Sequence, residues 1–302
     1  MAKYHEILNE ELKNKHASWE AKETVPSLLS DDMKRNLLGA IPTDEGIRLI
    51  NESKTASIQF ITELKMNTTM PPPSIDWRNN NGNKVTSVKD QGNCGSCVSF
   101  GSVAVIESMA IIEKNVSLDL SEADSHFCSN HGANCTGWWP SLALDQAKVR
   151  GVCSEADFPY ASAFPGGNPN CSNHGGYCNI ICNIPANRNK SVVMITNWSS
   201  HTNIADRKAY LSQVGPMAGC FDVYDDFFAY STGIYTHVSG PLKGGHCVQI
   251  IGYSDVEGCW ICKNSWGALW GMQGFFKIKY GECKIDTNPF FGCSSIILPA
   301  VA

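Results

Sequence analysis

The residue best suited to chemistry is Cys97, in the segment DQGNCGSCVSFG at residues 90–101. It directly precedes residues 99–113, whose apolar side chains recur every three or four positions, as in a buried helix. At the start of a helix, free backbone N–H groups and the helix dipole favour the thiolate, the nucleophilic form of cysteine. The Cys94-x-x-Cys97 spacing also permits a zinc half-site or a thioredoxin-like redox pair. A redox pair would need a preceding strand, so the helical surroundings favour a nucleophile.

Two further segments carry residues that could act with such a thiolate. His246 follows two glycines in GGHCVQIIGY, residues 244–253, at the start of a β-prone run from which a general base can reach a cleft. Asn264 lies near Trp266 in WICKNSWGALWGMQGFFKI, residues 260–278, where an amide can orient an imidazole and an indole can exclude water. Taken singly, the histidine fits local hydrogen bonding and the second segment fits a structural turn. Together with the cysteine, they indicate nucleophilic catalysis.

The chain that must position these residues divides into two compositional parts. It has 302 residues, of which 43% are hydrophobic, and a net charge of −5. All 14 cysteines lie at or after Cys94, whereas residues 1–70 hold 9 of the 24 basic and 11 of the 29 acidic side chains. Three prolines, Pro71 to Pro73, favour an extended linker, so we place a boundary at residue 70. No basic block favours nucleic-acid or anionic-membrane binding, and no apolar run reaches the roughly 18 residues of a membrane span.

Hydrophobic periodicity predicts helices in the first half of the chain and strands in the second. Helices are expected over residues 4–17, from the capping residue Ser30 to Gly39, and over residues 44–50. From Ser191 onward, short β-prone runs alternate with turns, which predicts an antiparallel sheet or barrel. We therefore predict an α+β fold with a cleft where a helical lobe meets a β lobe.

The three chemical segments, in this order, resemble the Cys, His and Asn signatures of papain-like cysteine peptidases. The resemblance runs from about Pro72 to Pro299 and, within that family, is strongest to cathepsin B, above all over residues 215–253. In the front part, SWEAKE followed by MKRNLLGA resembles a short prosegment of the cathepsin B type. The resemblance implies a papain-like two-lobe fold, with a helical lobe over about 90–190, a β-barrel-like lobe over about 191–285, and a C-terminal segment that returns to the helical lobe.

Carried over to this chain, the resemblance implies a role for each catalytic position. Cys97 would be the nucleophile, His246 its general base and later acid, and Asn264 the residue that orients the imidazole. The side-chain amide of Gln91 and the backbone N–H of Cys97 would stabilise the tetrahedral oxyanion, a donor of this kind contributing on the order of 3 kcal/mol. A thioester acyl-enzyme would form and be hydrolysed by water. The candidate substrate-binding residues are Gly137, Trp138, Gly245, Trp266 and Trp270.

The resemblance also implies a latent proenzyme that needs no cofactor and no metal. Residues 1–70 would be an inhibitory propeptide lying across the cleft, removed between about Lys65 and Ser74 to leave residues 71–302 as the catalytic domain. We expect a monomer that acts on peptides or proteins. Cysteine content and several Asn-x-Ser/Thr sequons fit secretion or a lysosome- or vacuole-like compartment, with any signal peptide outside this sequence.

Several positions depart from the family pattern. Val98 replaces the tryptophan that usually follows the nucleophile, and Trp138 replaces the second of two glycines whose backbone pairs with a bound peptide. The indole is expected either to narrow the non-primed subsites or to turn outward and leave the backbone pairing intact. Residues 161–182, which match the occluding loop of cathepsin B, contain His174 instead of two adjacent histidines, so we expect an endopeptidase. Asn288 lies nearest the position of the acidic second-pocket residue, so arginine preference is not expected.

Once Cys97 is set aside as a free thiol, the other cysteines are available for structural roles. The resemblance suggests the disulfides Cys94–Cys135 and Cys128–Cys171, and proximity suggests Cys178–Cys182 and Cys283–Cys293. The cysteines in apolar β-prone runs are predicted to be buried thiols, namely Cys220, Cys247 and Cys262.

Two other functions are compatible with the same motifs. A Cys-His amide or acyl transferase would share the nucleophile and base but would not need a prosegment. A catalytically impaired binding protein of the same fold would not need all of Gln91, Cys97, His246 and Asn264. We therefore favour a cysteine endopeptidase made as a zymogen.

Overall fold

The computed structural model describes residues 3–52, 70–164, 182, 184, 186 and 188–299. Its α-helices are α1 (Tyr4–Asn14), α2 (Asp31–Arg35), α3 (Cys97–Lys114), α4 (Glu122–Phe127), α5 (Pro140–Val149) and α6 (Ile204–Gln213), and residues 44–52 are also helical. Its strands are β1 (Trp19–Ala21), β2 (Ser74–Asp76), β3 (Met194–His201), β4 (Met217–Tyr224), β5 (Tyr230–Tyr235), β6 (Leu242–Ser254), β7 (Cys259–Lys263), β8 (Phe275–Lys279) and β9 (Phe290–Ile297). Short 3₁₀ turns span Pro26–Leu28, Tyr160–Ala163, Arg188–Lys190, Asp225–Ala229 and Glu282–Lys284.

The front helices form close to the positions that the sequence predicts; the first two end earlier, and the third extends from residue 44 to residue 52 instead of ending at residue 50. The first helix, α1, ends at Asn14 and buries two leucines on one face. Ser30 caps α2 by accepting a hydrogen bond from the backbone N–H three residues later. This helix ends at Arg35 rather than at Gly39, and the residues after it continue into the cleft between the lobes.

The long helix α3 begins at Cys97 and confirms the predicted buried helix. All residues from Cys97 to Ala110 are buried, so over this part no helix face is left to solvent. This explains why the sequence there is apolar or small at nearly every position. Asn115, in the left-handed conformation, ends the helix.

The strands form one sheet in the order β1-β5-β8-β7-β6-β4-β9-β3, and β2 pairs along β6. Neighbouring strands are antiparallel except β5 and β8, which are parallel. The predicted α+β fold is confirmed, with this parallel pair as the difference from the expected antiparallel arrangement. The central strand β6 pairs with β2, β4 and β7 and packs on α3, which places the start of β6 beside the start of the helix.

The front segment shares the hydrophobic core of the β lobe. Leu8, Leu12 and Trp19 pack in one cluster with aromatic side chains of the sheet. Trp19 is 3% exposed, pairs with Gly233 through β1 and β5, and donates from its indole N–H to the carbonyl of Thr236 at 2.9 Å. Burial of this kind stabilises the docked segment by roughly 1.5–3 kcal/mol for each large apolar side chain.

A partly buried ion-pair network adds to this docking. The Lys34 ammonium lies 2.8 Å from a carboxylate oxygen of Asp225, and the two side chains are 8% and 17% exposed. Lys243 lies 2.8 Å from Asp31 and 3.5 Å from Asp225. The network therefore joins the front segment around α2 to Asp225, which follows β4, and to Lys243 in β6.

Some of the expected disulfides are wrong. Cys94 pairs with Cys135, as predicted, but Cys128 pairs with Cys182, which excludes both Cys128–Cys171 and Cys178–Cys182. Cys171 and Cys178 themselves lie outside the described residues.

The predicted Cys283–Cys293 bond is also wrong, because both thiols are free and buried in different hydrophobic clusters. Cys220, Cys247 and Cys262 are buried free thiols, as predicted. Among the helices of the described part of the chain, none is long and apolar enough to cross a bilayer.

The Lys34–Asp225 pair predicts how tightly the front segment binds. In a complex of a peptide of residues 1–70 with a chain of residues 71–302, Lys34→Ala should weaken binding about 30-fold, because it removes the nearer of the two ammonium groups that pair with the partly buried Asp225 carboxylate. Titration calorimetry measures the affinity. Arg35→Ala is the matched control, since Arg35 is 45% exposed and contacts Asp32 of its own segment. Equal affinities for the two variants would contradict the importance of the pair.

Candidate active site

The Cys97 thiol lies at the N-terminus of α3 and is fully buried. Backbone N–H groups of Cys247, Gly39 and Val98 hydrogen-bond to its sulfur. These donors favour the thiolate, but burial outweighs them and raises the pKa of Cys97 to about 12. In this state of the molecule the nucleophile is therefore a neutral thiol.

The imidazole of His246 is held by the amide of Asn264 on the loop after β7. Its Nε2 lies 2.7 Å from Asn264 Oδ1, which also accepts the backbone N–H of Ser265 at 2.8 Å. An oxygen that accepts both bonds requires Nε2 to carry a proton, which leaves the lone pair on Nδ1. Within the described part of the chain, Nδ1 has no hydrogen-bond partner. The ring thus presents a free basic nitrogen.

Burial also keeps this imidazole neutral. It lowers the pKa of His246 to about 4, against the opposing effect of the bond to Asn264. The Trp266 ring lies 4.8 Å from the imidazole at an angle of 32° and stacks on Phe228 at 5.1 Å. The indole therefore covers the imidazole.

The contact between β6 and α3 brings His246 to Cys97. The residue after the histidine, Cys247, donates its backbone N–H to the Cys97 sulfur. On the helix, a Cβ at Gly101 would lie 3.0 Å from the Cys247 sulfur, so glycine permits the strand to pack this closely.

Gln91 points its amide into the same cleft. Its Oε1 accepts the Ser265 hydroxyl at 2.6 Å, while its Nε2 donates to the carbonyl of Cys94 at 2.7 Å and to that of Leu37 at 3.1 Å. The first bond fixes which end of the amide faces the cleft. A carbonyl of the front segment therefore lies on the Gln91 donor.

The cleft is filled by residues 37–41 of the front segment. The Ala40 N–H donates to the Gly245 carbonyl at 3.0 Å, and the Ile41 N–H donates to the Trp138 carbonyl at 3.0 Å. The Trp138 N–H in turn donates to the Gly39 carbonyl at 3.0 Å. The front segment thus pairs as an extended chain with both walls of the cleft.

Trp138 makes these contacts with its backbone. Its ring is 2% exposed and packs edge-on against His126, with centroids 5.6 Å apart, so it does not narrow the cleft as one of the two expectations held. The ring also does not turn outward, but the backbone pairing is intact. Gly137 precedes it with a φ of +120°, and a Cβ there would overlap the carbonyl of Gly39.

The two remaining predicted substrate-binding residues, Trp266 and Trp270, lie in one groove with residues of the front segment. The groove is mostly apolar, and Val25, Leu29 and Leu37 of the front segment line it together with the two tryptophans. Asn288 lies apart from this groove and donates from its amide to the backbone carbonyl of Cys220 at 3.2 Å. Its side chain is thereby committed to the protein backbone.

Sequence reasoning missed two parts of the site. Ser265 fixes Gln91, and residues 37–41 are the part of the front segment, predicted as a whole to cross the cleft, that occupies it. The signal for the second was the apolar run LLGAI within a charged segment. No signal in the sequence distinguished Ser265 from other serines.

The disulfide of Cys94 with Cys135 removes both alternatives for the Cys94-x-x-Cys97 spacing. A cysteine already bonded to a third residue can serve neither as a zinc ligand nor as the redox partner of Cys97. Cys97 therefore remains as a free thiol.

Comparisons with known proteins agree with this geometry. Residues 71–293 match the family model described as "Papain family cysteine protease". The chain is 33% identical over 271 residues to "Cysteine proteinase 2" of Entamoeba histolytica, covering 83% of this chain and 78% of that protein.

Two solved structures share the fold. The structure of "proCathepsin B S9 from Trypanosoma congolense" matches with a TM-score of 0.74 at 22% identity, covering 97% of this chain and 98% of the other. That of "digestive procathepsin L 3 of Tenebrio molitor larval midgut" matches with a TM-score of 0.69 at 22% identity, covering 96% and 88%.

The packing at Gly39 predicts how the cleft can be opened. A side chain at this position would overlap the carbonyl of Gly95, so Gly39→Val should displace residues 37–41 at a cost of about 1–3 kcal/mol. Alkylation of Cys97 by iodoacetamide in the intact chain should then be at least about tenfold faster, as measured by mass spectrometry. Ala40→Gly, which adds no atoms, is the control and should react like the unmodified chain. An unchanged rate in Gly39→Val would contradict the packing argument.

Proposed function

Because the chain belongs to the papain family of cysteine proteases, we propose that it is a cysteine endopeptidase of the cathepsin B type, made as a latent zymogen. The observation that carries the proposal is the Leu37 carbonyl on the Gln91 amide, beside the buried Cys97 thiol and the free Nδ1 of His246. A backbone carbonyl at this point is where the acyl group of a peptide substrate would be polarised.

Each residue has a defined task in this reaction. His246 Nδ1 takes the proton of Cys97, and the resulting thiolate attacks the substrate carbonyl. The Gln91 amide and the Cys97 backbone N–H bind the oxyanion, and the imidazolium protonates the leaving amine as the thioester forms. Water, deprotonated by the same imidazole, then hydrolyses the thioester. Asn264 holds the ring in the tautomer that this sequence of steps requires.

Latency follows from the position of residues 37–41. They cover the cleft and contribute to a burial that favours the neutral thiol and the neutral imidazole. Removal of the segment would hydrate both groups, and the thiolate–imidazolium pair would become favourable beside the N-terminus of α3. We assign residues 1–70 to the propeptide and residues 71–302 to the catalytic domain, with cleavage between about Lys65 and Ser74.

Endopeptidase action and subsite specificity are inferred from the segment that matches the occluding loop, from Asn288, and from the groove residues Trp266 and Trp270. The segment that matches an occluding loop carries His174 without a neighbouring histidine, and most of it, residues 165–181, lies outside the described residues. Asn288 provides no acidic group for an arginine side chain. Once the front segment has left, Trp266 and Trp270 would remain as an apolar wall that could contact an apolar side chain of the substrate.

Two disulfides in the described residues fit maturation in an oxidising compartment. We therefore propose that the enzyme is secreted or resides in a lysosome- or vacuole-like organelle. Its partners would be peptide or protein substrates and its own propeptide, and it would act as a monomer.

The alternatives are less favoured. A binding protein would have no need to bring Gln91, Cys97, His246 and Asn264 together with these hydrogen bonds. A transferase would not require a front segment seated on the nucleophile.

Hydrolysis of a fluorogenic peptide library tests the proposal. The chain trimmed to residues 71–302 should cleave peptides, Cys97→Ala should abolish cleavage, and Gln91→Ala should lower kcat by about 10²–10³. Lys148→Ala, on an exposed part of α5, serves as the control and should keep full activity. The intact chain should be far slower than the trimmed one. Cleavage by Cys97→Ala, or equal rates for intact and trimmed chains, would contradict the proposal.

Endopeptidase action predicts indifference to the substrate C-terminus. The trimmed enzyme should cleave a peptide with a C-terminal amide at least as well as the same peptide with a free carboxylate. Chromatography of the products measures both rates. Strict dependence on the free carboxylate would show an exopeptidase instead.

A further inference from the structure

A pair of thiols lies in the same hydrophobic cluster as the candidate nucleophile Cys97. Cys220 on β4 and Cys247 on β6 are opposite each other in the antiparallel register. They are 1% and 0% exposed. Neither has a role in the reaction described above.

The register meets the geometric requirement for a disulfide. Directly opposed residues of antiparallel strands have Cα atoms about 4.5–5.5 Å apart, and their side chains lie on the same face of the sheet. Disulfides form across Cα separations of about 4.4–6.8 Å. The two sulfurs therefore need no movement of the backbone to reach each other.

The other strand cysteines lack such a partner. In the described strands, Cys262 is opposite Ile250, Cys259 is opposite Ser254, and Cys293 is opposite Trp198. The buried cysteines are therefore not equivalent, and the sheet register sets Cys220 and Cys247 apart as a pair.

The pair is also placed to affect the site. Cys247 follows His246 in β6 and bonds through its N–H to the Cys97 sulfur. A covalent link to Cys220 would fasten the strand that carries the histidine to the neighbouring strand.

We propose that Cys220 and Cys247 form a cross-strand dithiol, a modification site that is oxidised to a disulfide by exchange with a small-molecule disulfide such as glutathione disulfide. Local opening of the β4–β6 strand pair exposes one cysteine to the oxidant. As the thiolate, this cysteine attacks the oxidant and releases the first small thiol, leaving a mixed disulfide on the protein. The second cysteine displaces the other small thiol from that intermediate. Two S–H bonds of the protein are replaced by one S–S bond, and the two protons and two electrons pass to the oxidant, which becomes two thiols.

Mass spectrometry of the full chain tests this assignment. The reduced protein is incubated with glutathione disulfide, quenched with an alkylating agent and digested without reduction. The expected product is a peptide pair joined through Cys220 and Cys247, lighter by two hydrogens than the separate reduced peptides, which dithiothreitol separates again. The same pair should form in Cys97→Ser, where the nucleophile is absent.

Matched variants complete the test. Cys220→Ser and Cys247→Ser should each lose the linked pair, whereas Cys293→Ser, which alters a buried thiol of the same cluster, should retain it. A bond between Cys97 and Cys247 instead, or stable glutathione adducts with no link between the pair, would overturn the assignment, as would two fully alkylated thiols after exposure to the oxidant. The disulfide peptide map of the wild-type protein tests the assignment even if a variant folds poorly. No readout needs peptidase activity, so the result is independent of the proposed function.

Discussion

Desolvation of a thiol and an imidazole in one cleft is the constraint on which the rest of this structure depends. A thiolate–imidazolium pair gains its reactivity from charge, and charge is costly in a site without water. Here burial raises the pKa of Cys97 to about 12 and lowers that of His246 to about 4, so both groups are neutral although their partners are in place. The hydrogen bonds that orient His246 and Gln91 and the neutral state of the thiol and the imidazole therefore coexist in one conformation.

The architecture supplies this geometry from three places in the chain. In the proposed reaction, helix α3 would provide the nucleophile at its positive end, β6 would provide the base, and the loop after β7 would provide the orienting amide and the indole that covers the imidazole. Close approach of the front segment is possible because Gly39 and Gly137 meet where neither position tolerates a side chain. The buried Trp19 side chain and the Lys34–Asp225 ion pair bind the front segment to the β lobe outside the cleft. Within the cleft, residues 37–41 are held by backbone hydrogen bonds.

The sequence was sufficient for the fold class and for the residues that meet at the site, because their signals are local: an apolar helix after Cys97, a glycine pair before His246 and an Asn-Trp segment. Disulfide connectivity is not local, and Cys128 pairs with Cys182 across a separation of 54 residues that no spacing rule selects. The direction of the Trp138 ring depends on the space beside His126, which only the assembled helical lobe defines. The same holds for Ser265, whose role exists only once the loop of Gln91 packs against it.

The front segment is proposed to keep the Cys97 thiol protonated by burying it in the cleft. The most direct measurement is the ultraviolet absorbance of the Cys97 thiolate as a function of pH, taken as the difference between each chain and its Cys97→Ala variant. In the intact chain the thiolate signal should be absent at pH 7 and should not reach a plateau by about pH 10, whereas in the trimmed chain it should already be present at pH 7. Equal titration curves for the intact and trimmed chains would contradict the account.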